Sequence, residues 1–220
     1  MVKETIERSK ALPIRKRALH RYEKILAAAS NLITETGRAD KLTINQIAKL
    51  SGIPRVSIYY FFHSSDQVVA RLYELALSEM ITEMETLEVS GAMHWKDAVV
   101  KLVLNTANYY RTNKLTMILS LSPHSNLAIT PINRAYAQAL FNYLSPMQGF
   151  KRSLISQFNC EIAVEIADAV WRRSFLESGT IKPAFDIEVI KSVVGYLSAI
   201  PQPDRNYKSI SKLEKLKGEN

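Results

Sequence analysis

The chain has 220 residues, of which 47% are apolar and 23% charged, and its formal net charge is +8. These values are typical of a globular protein with one good core, or of a small domain attached to a larger one. A single cysteine, Cys160, excludes an intramolecular disulfide. We see neither a signal-peptide pattern nor an apolar run long enough to cross a bilayer, and we therefore expect a cytoplasmic protein.

The positive charge is concentrated in the first part of the chain. Residues 1–63 contain 12 Lys and Arg against 5 Asp and Glu, whereas residues 64–204 contain 12 against 14. A basic segment attached to a nearly neutral one favours a polyanionic partner, most often nucleic acid. A solvated basic surface is the alternative, so the charge alone does not decide.

Apolar residues at three- and four-residue spacings predict helices near the N-terminus. We expect residues 1–14 to form a basic flexible arm and the first helix to span residues 15–36, ended by Gly37. Thr43, followed three residues later by Gln46, is a capping-box pattern that begins a short second helix.

A third helix follows a tight break at Ser51-Gly52-Ile53. Pro54 suits the first turn of this helix because no backbone N–H is needed there, and the helical pattern continues to about Phe62. Two short helices joined by a glycine-containing turn have the layout of a helix-turn-helix. In that layout the second short helix is held rigid and can enter the major groove of DNA.

The rest of the chain also reads as helical. Ser64 followed by Gln67 is another capping-box pattern, which begins a long fourth helix that reaches about Glu88. Further helices are predicted at residues 95–111, 115–121, 131–144, 153–178 and 184–199. No strand-like alternation occurs, so we predict an all-α chain of about nine helices. The helix-turn-helix domain would span residues 15–63, and a polar tail residues 204–220.

A series of short motifs runs in a fixed order through this first part of the chain. The motifs are Ile25 to Gly37, Leu42-Thr43, Ile47-Ala48, Ser51-Gly52-Ile53-Pro54, Ser57 to Phe62 and Ser64-Ser65-Asp66. The series resembles the signature of TetR-type transcriptional regulators and covers about the first 70 residues closely. The resemblance implies a DNA-binding head followed, at residues 64–203, by a domain that binds an effector and forms a dimer.

Two residues depart from the pattern of that family. Phe61 stands where the family often has a histidine, and Ser65 stands where it often has a lysine. Those two family residues usually contact phosphate, which Phe61 cannot do and Ser65 can do only as a neutral donor. Basic residues of the arm and the first helix could supply the missing charge, namely Lys3, Arg8, Lys10, Arg15, Lys16, Arg17 and Arg21.

The two faces of the third helix suggest which side chains meet DNA. Residues three or four apart share a face, which places Ile58 and Phe62 inward. Arg55 could donate two hydrogen bonds to a guanine edge, and Val56 could pack on a thymine methyl group. For Tyr60, DNA contact and half-buried packing both remain open. The predicted DNA-binding residues are Thr43, Ile44, Asn45, Arg55, Val56, Ser57, Tyr59, Tyr60, Ser65 and Arg17.

The last two long helices offer more apolar surface than one small core needs. Together with the resemblance, this predicts a homodimer whose two heads would match a near-palindromic double-stranded operator. Burial within the monomer is the alternative. The predicted interface residues are Ile166, Val170, Ile190, Val193, Val194 and Leu197.

An effector pocket is implied mainly by the resemblance. The candidates combine aromatic and polar side chains, which would suit a largely apolar small molecule, although ordinary core packing is the alternative. They are Trp95, Asn105, Tyr109, Met117, His124 and Tyr136.

Other chemistry is not indicated by the sequence. Metal-ligand spacing, a phosphate-binding loop and a catalytic constellation are all missing, so we expect no metal, no cofactor, no membrane partner and no enzymatic activity. The predicted function is a homodimeric repressor that a small-molecule effector releases from its operator. A regulator that acts without an effector, through a protein partner or as an activator, is the alternative.

Overall fold

The computed structural model describes residues 2–88, 92–122 and 130–200, with side chains described from residue 16 onward and, after the second gap, from residue 134. These residues contain nine helices and no strand, which confirms the all-α prediction. The helices are α1 (Val2–Thr36), α2 (Ile44–Ser51), α3 (Arg55–Tyr59), α4 (Ser65–Thr86), α5 (Trp95–Thr112), α6 (Lys114–Leu121), α7 (Thr130–Leu144), α8 (Gln157–Ser178) and α9 (Pro183–Ala199).

The chain divides into two compact units. The first unit comprises Met1–Met80 and Asn108–Ile132, and the second comprises Ile81–Ala107 and Asn133–Asn220. The domain limits expected from the sequence, after residues 14, 63 and 203, stay predictions. Among the described residues, none of the helices combines the length and the apolar character needed to cross a bilayer.

The first unit contains the head, by which we mean residues 16–65. Three of its helices meet through aliphatic side chains that water does not reach: Ile33 of α1, Ile47 of α2 and Ile58 of α3 each have 0% of their surface exposed. Phe62, just beyond α3, is also buried. The inward positions predicted for Ile58 and Phe62 are therefore confirmed. Burying a side chain of this size stabilises a fold by about 1.5–3 kcal/mol.

The turn between α2 and α3 is built as the sequence predicts. The Thr43 hydroxyl accepts a hydrogen bond from the Gln46 N–H (3.3 Å), and the Gln46 side chain accepts one from the Thr43 N–H (2.9 Å), which completes the capping box. Gly52 ends α2 in the left-handed conformation, with φ 68° and its N–H bonded to the Ala48 carbonyl. A side chain there would be strained, so glycine permits the reversal that sets α3 across α2.

Two helices of the head have limits that differ from the expected ones. The first helix, α1, begins at Val2 instead of Arg15, because Lys, Glu, Arg and Ala residues before Arg15 favour helix in spite of their polarity. The third helix, α3, ends at Tyr59 instead of Phe62. The backbone N–H groups of Phe61 and Phe62 both donate to the Ile58 carbonyl oxygen (2.9 Å each), so the chain continues beyond α3 as a tight turn.

In the second unit, α8 begins four residues later than the expected Ser153. Ser156 caps it, because the Ser156 hydroxyl accepts from the Asn159 N–H and the Asn159 side chain accepts from the Ser156 N–H (2.8 Å). Asparagine stands where a capping box usually has Glu or Gln, so the sequence pattern was missed. Further along α8, the Trp171 indole donates to Asp186 of α9 (3.1 Å), which ties the two helices together.

Candidate nucleic-acid interface

The outward face of α3 is open to solvent. Val56 is 84% exposed and Tyr59 48% exposed, and Tyr60, directly after the helix, is 82% exposed. Large apolar and aromatic side chains are seldom left this open without a reason when they lie together. Tyr60 is 82% exposed, which argues against half-buried packing, and its contact with DNA stays a prediction.

Arg55 and Asn45 bring the two short helices into contact on this outward side. The Arg55 Nη1 donates to the Asn45 Oδ1 at 3.0 Å, and both residues are exposed. A guanidinium has five N–H donors in a rigid fork, so this bond leaves donors free for a partner while it restricts the orientation of the fork. The pair therefore presents a partly oriented cation at the start of α3.

Ile44 does not belong to the outward surface. It is 8% exposed and lies in the core of the head, so its predicted contact with DNA is corrected. The first residue of α2 lies against the neighbouring helices because it shares a face with Ile47, three residues on. Thr43 is exposed while it caps α2, and Ser57 and Ser65 are half-buried.

Residues of α1 and of the α3 region line a common groove of about 540 Å³, which we call the arginine groove. Its lining residues are Arg17, Ala18, Arg21, Val56, Ser57, Tyr60 and Phe61. Four predicted DNA-binding residues therefore line the same groove: Arg17, Val56, Ser57 and Tyr60. Arg21 was noted in the sequence only as part of the basic charge and now has a defined place.

Four rings lie together beside the arginine groove, and we call Tyr22, Tyr60, Phe61 and Phe62 the aromatic cluster. Tyr22 of α1 stacks on Phe62 with ring centroids 5.4 Å apart and planes inclined by 20°. Phe61 meets Tyr22 (5.8 Å) and Tyr60 (5.2 Å, 90°) edge to face. Such contacts contribute about 0.5–1.5 kcal/mol each beyond the burial of area. Phe61, the residue that departs from the family pattern, is thus a packing element.

Arg71 of α4 connects that helix to the aromatic cluster. Its Nε donates to the Tyr22 hydroxyl at 2.9 Å, and its Nη1 donates to Glu74 at 2.9 Å. The bond that Arg71 donates to Glu74, and secondly the one that it donates to Tyr22, raise the pKa of the Arg71 guanidinium, which stays charged. Tyr22 and Arg71 are 49 residues apart, and no periodic pattern in the sequence would pair them.

The candidates for an effector pocket are divided between the two units. In the second unit, Trp95 is buried against Phe150, and the buried Tyr136 hydroxyl lies 3.3 Å from the Thr106 hydroxyl. Burial raises the pKa of Tyr136 to about 12. Asn105, also in this unit, is half-buried.

In the first unit, Met117 is buried in α6, and the Tyr109 hydroxyl donates to Glu79 at 2.9 Å. His124 lies outside the described residues. The role of these candidates in binding an effector stays a prediction.

The residues predicted for a dimer interface fall into two groups. Val193 and Leu197 are 5% and 0% exposed and pack inside the second unit, so they are unavailable to a partner, and their predicted role is corrected. They lie four residues apart on the face of α9 that is directed inward, which explains why an apolar stripe alone misassigned them. The half-buried members of the set are Ile166, Val170, Ile190 and Val194.

The fold and the exposed face of α3 define a helical chain with a helix-turn-helix head. The structure is similar to a TetR-family transcriptional regulator from Streptomyces coelicolor, with 21% identity, 82% of this chain and 99% of that chain covered, and a TM-score of 0.62. It is also similar to the fatty acid degradation regulator FadR from Bacillus halodurans, with 16% identity, coverage of 84% and 96%, and a TM-score of 0.60. A third similar structure is FadR from Bacillus subtilis in complex with stearoyl-CoA. It shares 16% identity and a TM-score of 0.57, and the match covers 81% of this chain and 97% of that chain.

These likenesses establish the fold. The chain has the fold of TetR-family transcriptional regulators over most of its length, which confirms the resemblance seen in the sequence. No protein-family model matches the sequence, and neither does any curated protein. The structures to which the chain is similar are described as regulators, not as enzymes.

The contact between Arg71 and Tyr22 gives a first testable prediction. We expect Tyr22→Phe to lower the free energy of unfolding by about 1 kcal/mol, because it removes one hydrogen-bond acceptor and keeps the ring. Tyr59→Phe is the matched control, since Tyr59 is exposed and its hydroxyl has no partner among the described residues. Urea unfolding followed by circular dichroism measures both. Equal stability of the two variants would contradict a structural role for this bond.

Proposed function

We propose that the protein is a homodimeric, sequence-specific DNA-binding transcriptional regulator, and that it is a repressor released by a small-molecule effector. The observation that carries the proposal is the exposed face of α3, supported from behind by the buried Ile58 and Phe62. A short helix is marginal in water by itself, so a rigid seat behind an open face is what a reading helix needs. The TetR-type fold supports the same assignment.

Base reading is assigned to the start of α3. Arg55 would contact a guanine edge in the major groove with the N–H donors that its bond to Asn45 leaves free. Val56, 84% exposed, would pack on a thymine methyl group. Thr43, Ser57, Tyr59 and Ser65 would donate to phosphates or groove edges, which fix the register without carrying sequence information.

Dimerisation is assigned to α8 and α9. Val170 of α8 and Ile190 and Val194 of α9 are apolar and half-buried, which leaves part of each side chain for a second copy. Two symmetric copies would present two α3 helices to two half-sites of a near-palindromic operator.

The effector we propose is a fatty acyl thioester of coenzyme A. FadR from Bacillus subtilis, whose fold this chain shares, was solved with stearoyl-CoA. The long acyl chain of that molecule agrees with the largely apolar effector that the sequence predicts, whereas its coenzyme A part is anionic. Release would follow from a population shift, because the effector would bind more tightly to a state whose heads do not match the operator. The helix α4 is suited to pass on such a shift, since its Arg71 contacts the aromatic cluster of the head.

The DNA-reading role of Arg55 can be tested by selecting bound sequences from random double-stranded DNA. We expect a two-fold symmetric consensus for the wild-type protein. Arg55→Ala should relax the preference at one base pair of each half-site, which corresponds to about 1–3 kcal/mol of lost discrimination. Arg173→Ala, which removes the same charge from an exposed position of α8, is the control and should leave the consensus unchanged. A uniform loss of affinity with an unchanged consensus would refute base reading by Arg55.

The dimer is tested by Val170→Asp. We expect this variant to elute as a monomer in size-exclusion chromatography with light scattering, because an unpaired carboxylate would be buried in the interface. Leu104→Asp places the same charge on a 50% exposed position of α5 and should leave the dimer intact. Thermal melting of both variants separates a lost interface from a lost fold. A dimeric Val170→Asp protein, or a monomeric wild-type protein, would contradict the assignment.

The effector is tested by fluorescence anisotropy of labelled operator DNA. We expect stearoyl-CoA, kept below the concentration at which it forms micelles, to weaken operator binding at least about tenfold, which is about 1.4 kcal/mol of coupling. Free coenzyme A is the control and should have little effect, because it lacks the acyl chain. Unchanged binding with stearoyl-CoA would refute this effector class and favour action without a small molecule.

A further inference from the structure

We propose that the arginine groove binds one phosphate of the DNA backbone, with Arg17 and Arg21 as its charged ligands and Phe61 as the residue that positions Tyr60. The inference rests on the proposed DNA-binding function and assigns the backbone grip of the head to α1. It also answers a question that the sequence raises, namely how the head holds phosphate when a phenyl ring and a serine stand at positions 61 and 65.

The charge comes from one face of α1. Arg17 and Arg21 are four residues apart, so their side chains project from the same side of the helix, and both are exposed. Neither has an ion-pair partner within the described part of the chain. Ala18 also lines the groove, and its side chain is only a methyl group. Two unpaired guanidinium groups are therefore available for a phosphodiester, whose free oxygens match them in charge and geometry.

Neutral donors also line the arginine groove. Ser57 of α3 and Tyr60 belong to the groove lining, and neither hydroxyl has a hydrogen-bond partner among the described residues. Val56 is also part of the lining and lies at the outward face of α3. The groove thus lies beside the base-reading surface, where the backbone of a bound duplex runs.

Phe61 has no hydrogen-bonding group, and its role is to position the Tyr60 ring. Its ring meets Tyr60 edge to face at 5.2 Å and meets Tyr22 at 5.8 Å. Tyr22 is itself fixed by its stack on Phe62 and by the bond from Arg71. Tyr60 is 82% exposed, and its edge-to-face contact with Phe61 is its one ring–ring contact among the described residues. Phe61 therefore holds the Tyr60 hydroxyl at the groove.

The charged ligands are tested by the salt dependence of operator binding. For the full-length protein and its selected operator, the magnitude of the slope of log K against log salt concentration should fall by about 0.9 in the double variant Arg17→Ala/Arg21→Ala, because the pair neutralises one phosphate and each neutralised phosphate releases counterions. Each single variant should show a smaller fall in the same direction. Affinity should fall equally for all sequences. Lys24→Ala is the matched control, since it removes an exposed charge of α1 that lies outside the groove, and its slope should equal that of the wild type.

The positioning role of Phe61 is tested by a double-mutant cycle with Tyr60. Phe61→Leu and Tyr60→Phe should each weaken operator binding about fivefold, the effect of one neutral hydrogen bond. The double variant should be no weaker than Phe61→Leu alone, because a Tyr60 hydroxyl that is no longer held contributes nothing. Phe61→Tyr keeps the ring and should retain the affinity. Thermal melting reports any general loss of fold.

The outcomes separate the inference from the function on which it rests. A wild-type slope in the double arginine variant, with normal operator binding by the wild-type protein, would overturn the arginine groove and leave DNA binding intact. Independent, multiplying losses in the double-mutant cycle would overturn the positioning role of Phe61. Failure of the wild-type protein to select any DNA would overturn both the inference and the proposed function.

Discussion

The geometry of the head depends on how the Tyr22 ring is fixed. Its face stacks on Phe62 at 5.4 Å and its hydroxyl accepts a hydrogen bond from Arg71 at 2.9 Å, so one side chain of α1 is held from the α3 side and from α4. α3 has five residues, too few to be stable alone. Its conformation comes from the buried Ile58 beneath it and from the aromatic cluster that follows it. The cluster makes the short helix a rigid support for exposed side chains.

The outer surface of the head divides between two tasks on the proposed assignment. Arg55 and Val56 would read base edges, whereas Arg17, Arg21 and Tyr60 would grip one phosphate and set the register. The phenyl ring at position 61 is then no loss of function, since the charge is supplied from α1 and the ring orients a neighbouring hydroxyl. The bond from Arg71 also means that a displacement of α4 would change the surroundings of Tyr22.

Features with local causes were predictable from the sequence. The capping box at Thr43 and Gln46, the tight break at Gly52 and the inward Ile58 follow from chemistry within a few residues, and all three are confirmed. Contacts between distant residues were not predictable, because periodicity carries no information about the partner of Tyr22, 49 residues away. The predicted DNA contact of Ile44 and the predicted interface role of Val193 and Leu197 were wrong for the same reason. An apolar residue near a functional surface has the same sequence pattern whether its side chain faces the core or a partner, and these three are buried.

The most direct test of this account is the structure of the protein bound to its selected operator. The account predicts that α3 lies in the major groove with Arg55 at a base edge. It also predicts that one backbone phosphate lies within hydrogen-bonding distance of Arg17, Arg21 and the Tyr60 hydroxyl, with Phe61 still packed edge to face against Tyr60. A complex in which DNA contacts another surface, or in which the arginine groove holds no phosphate while α3 reads bases, would contradict it.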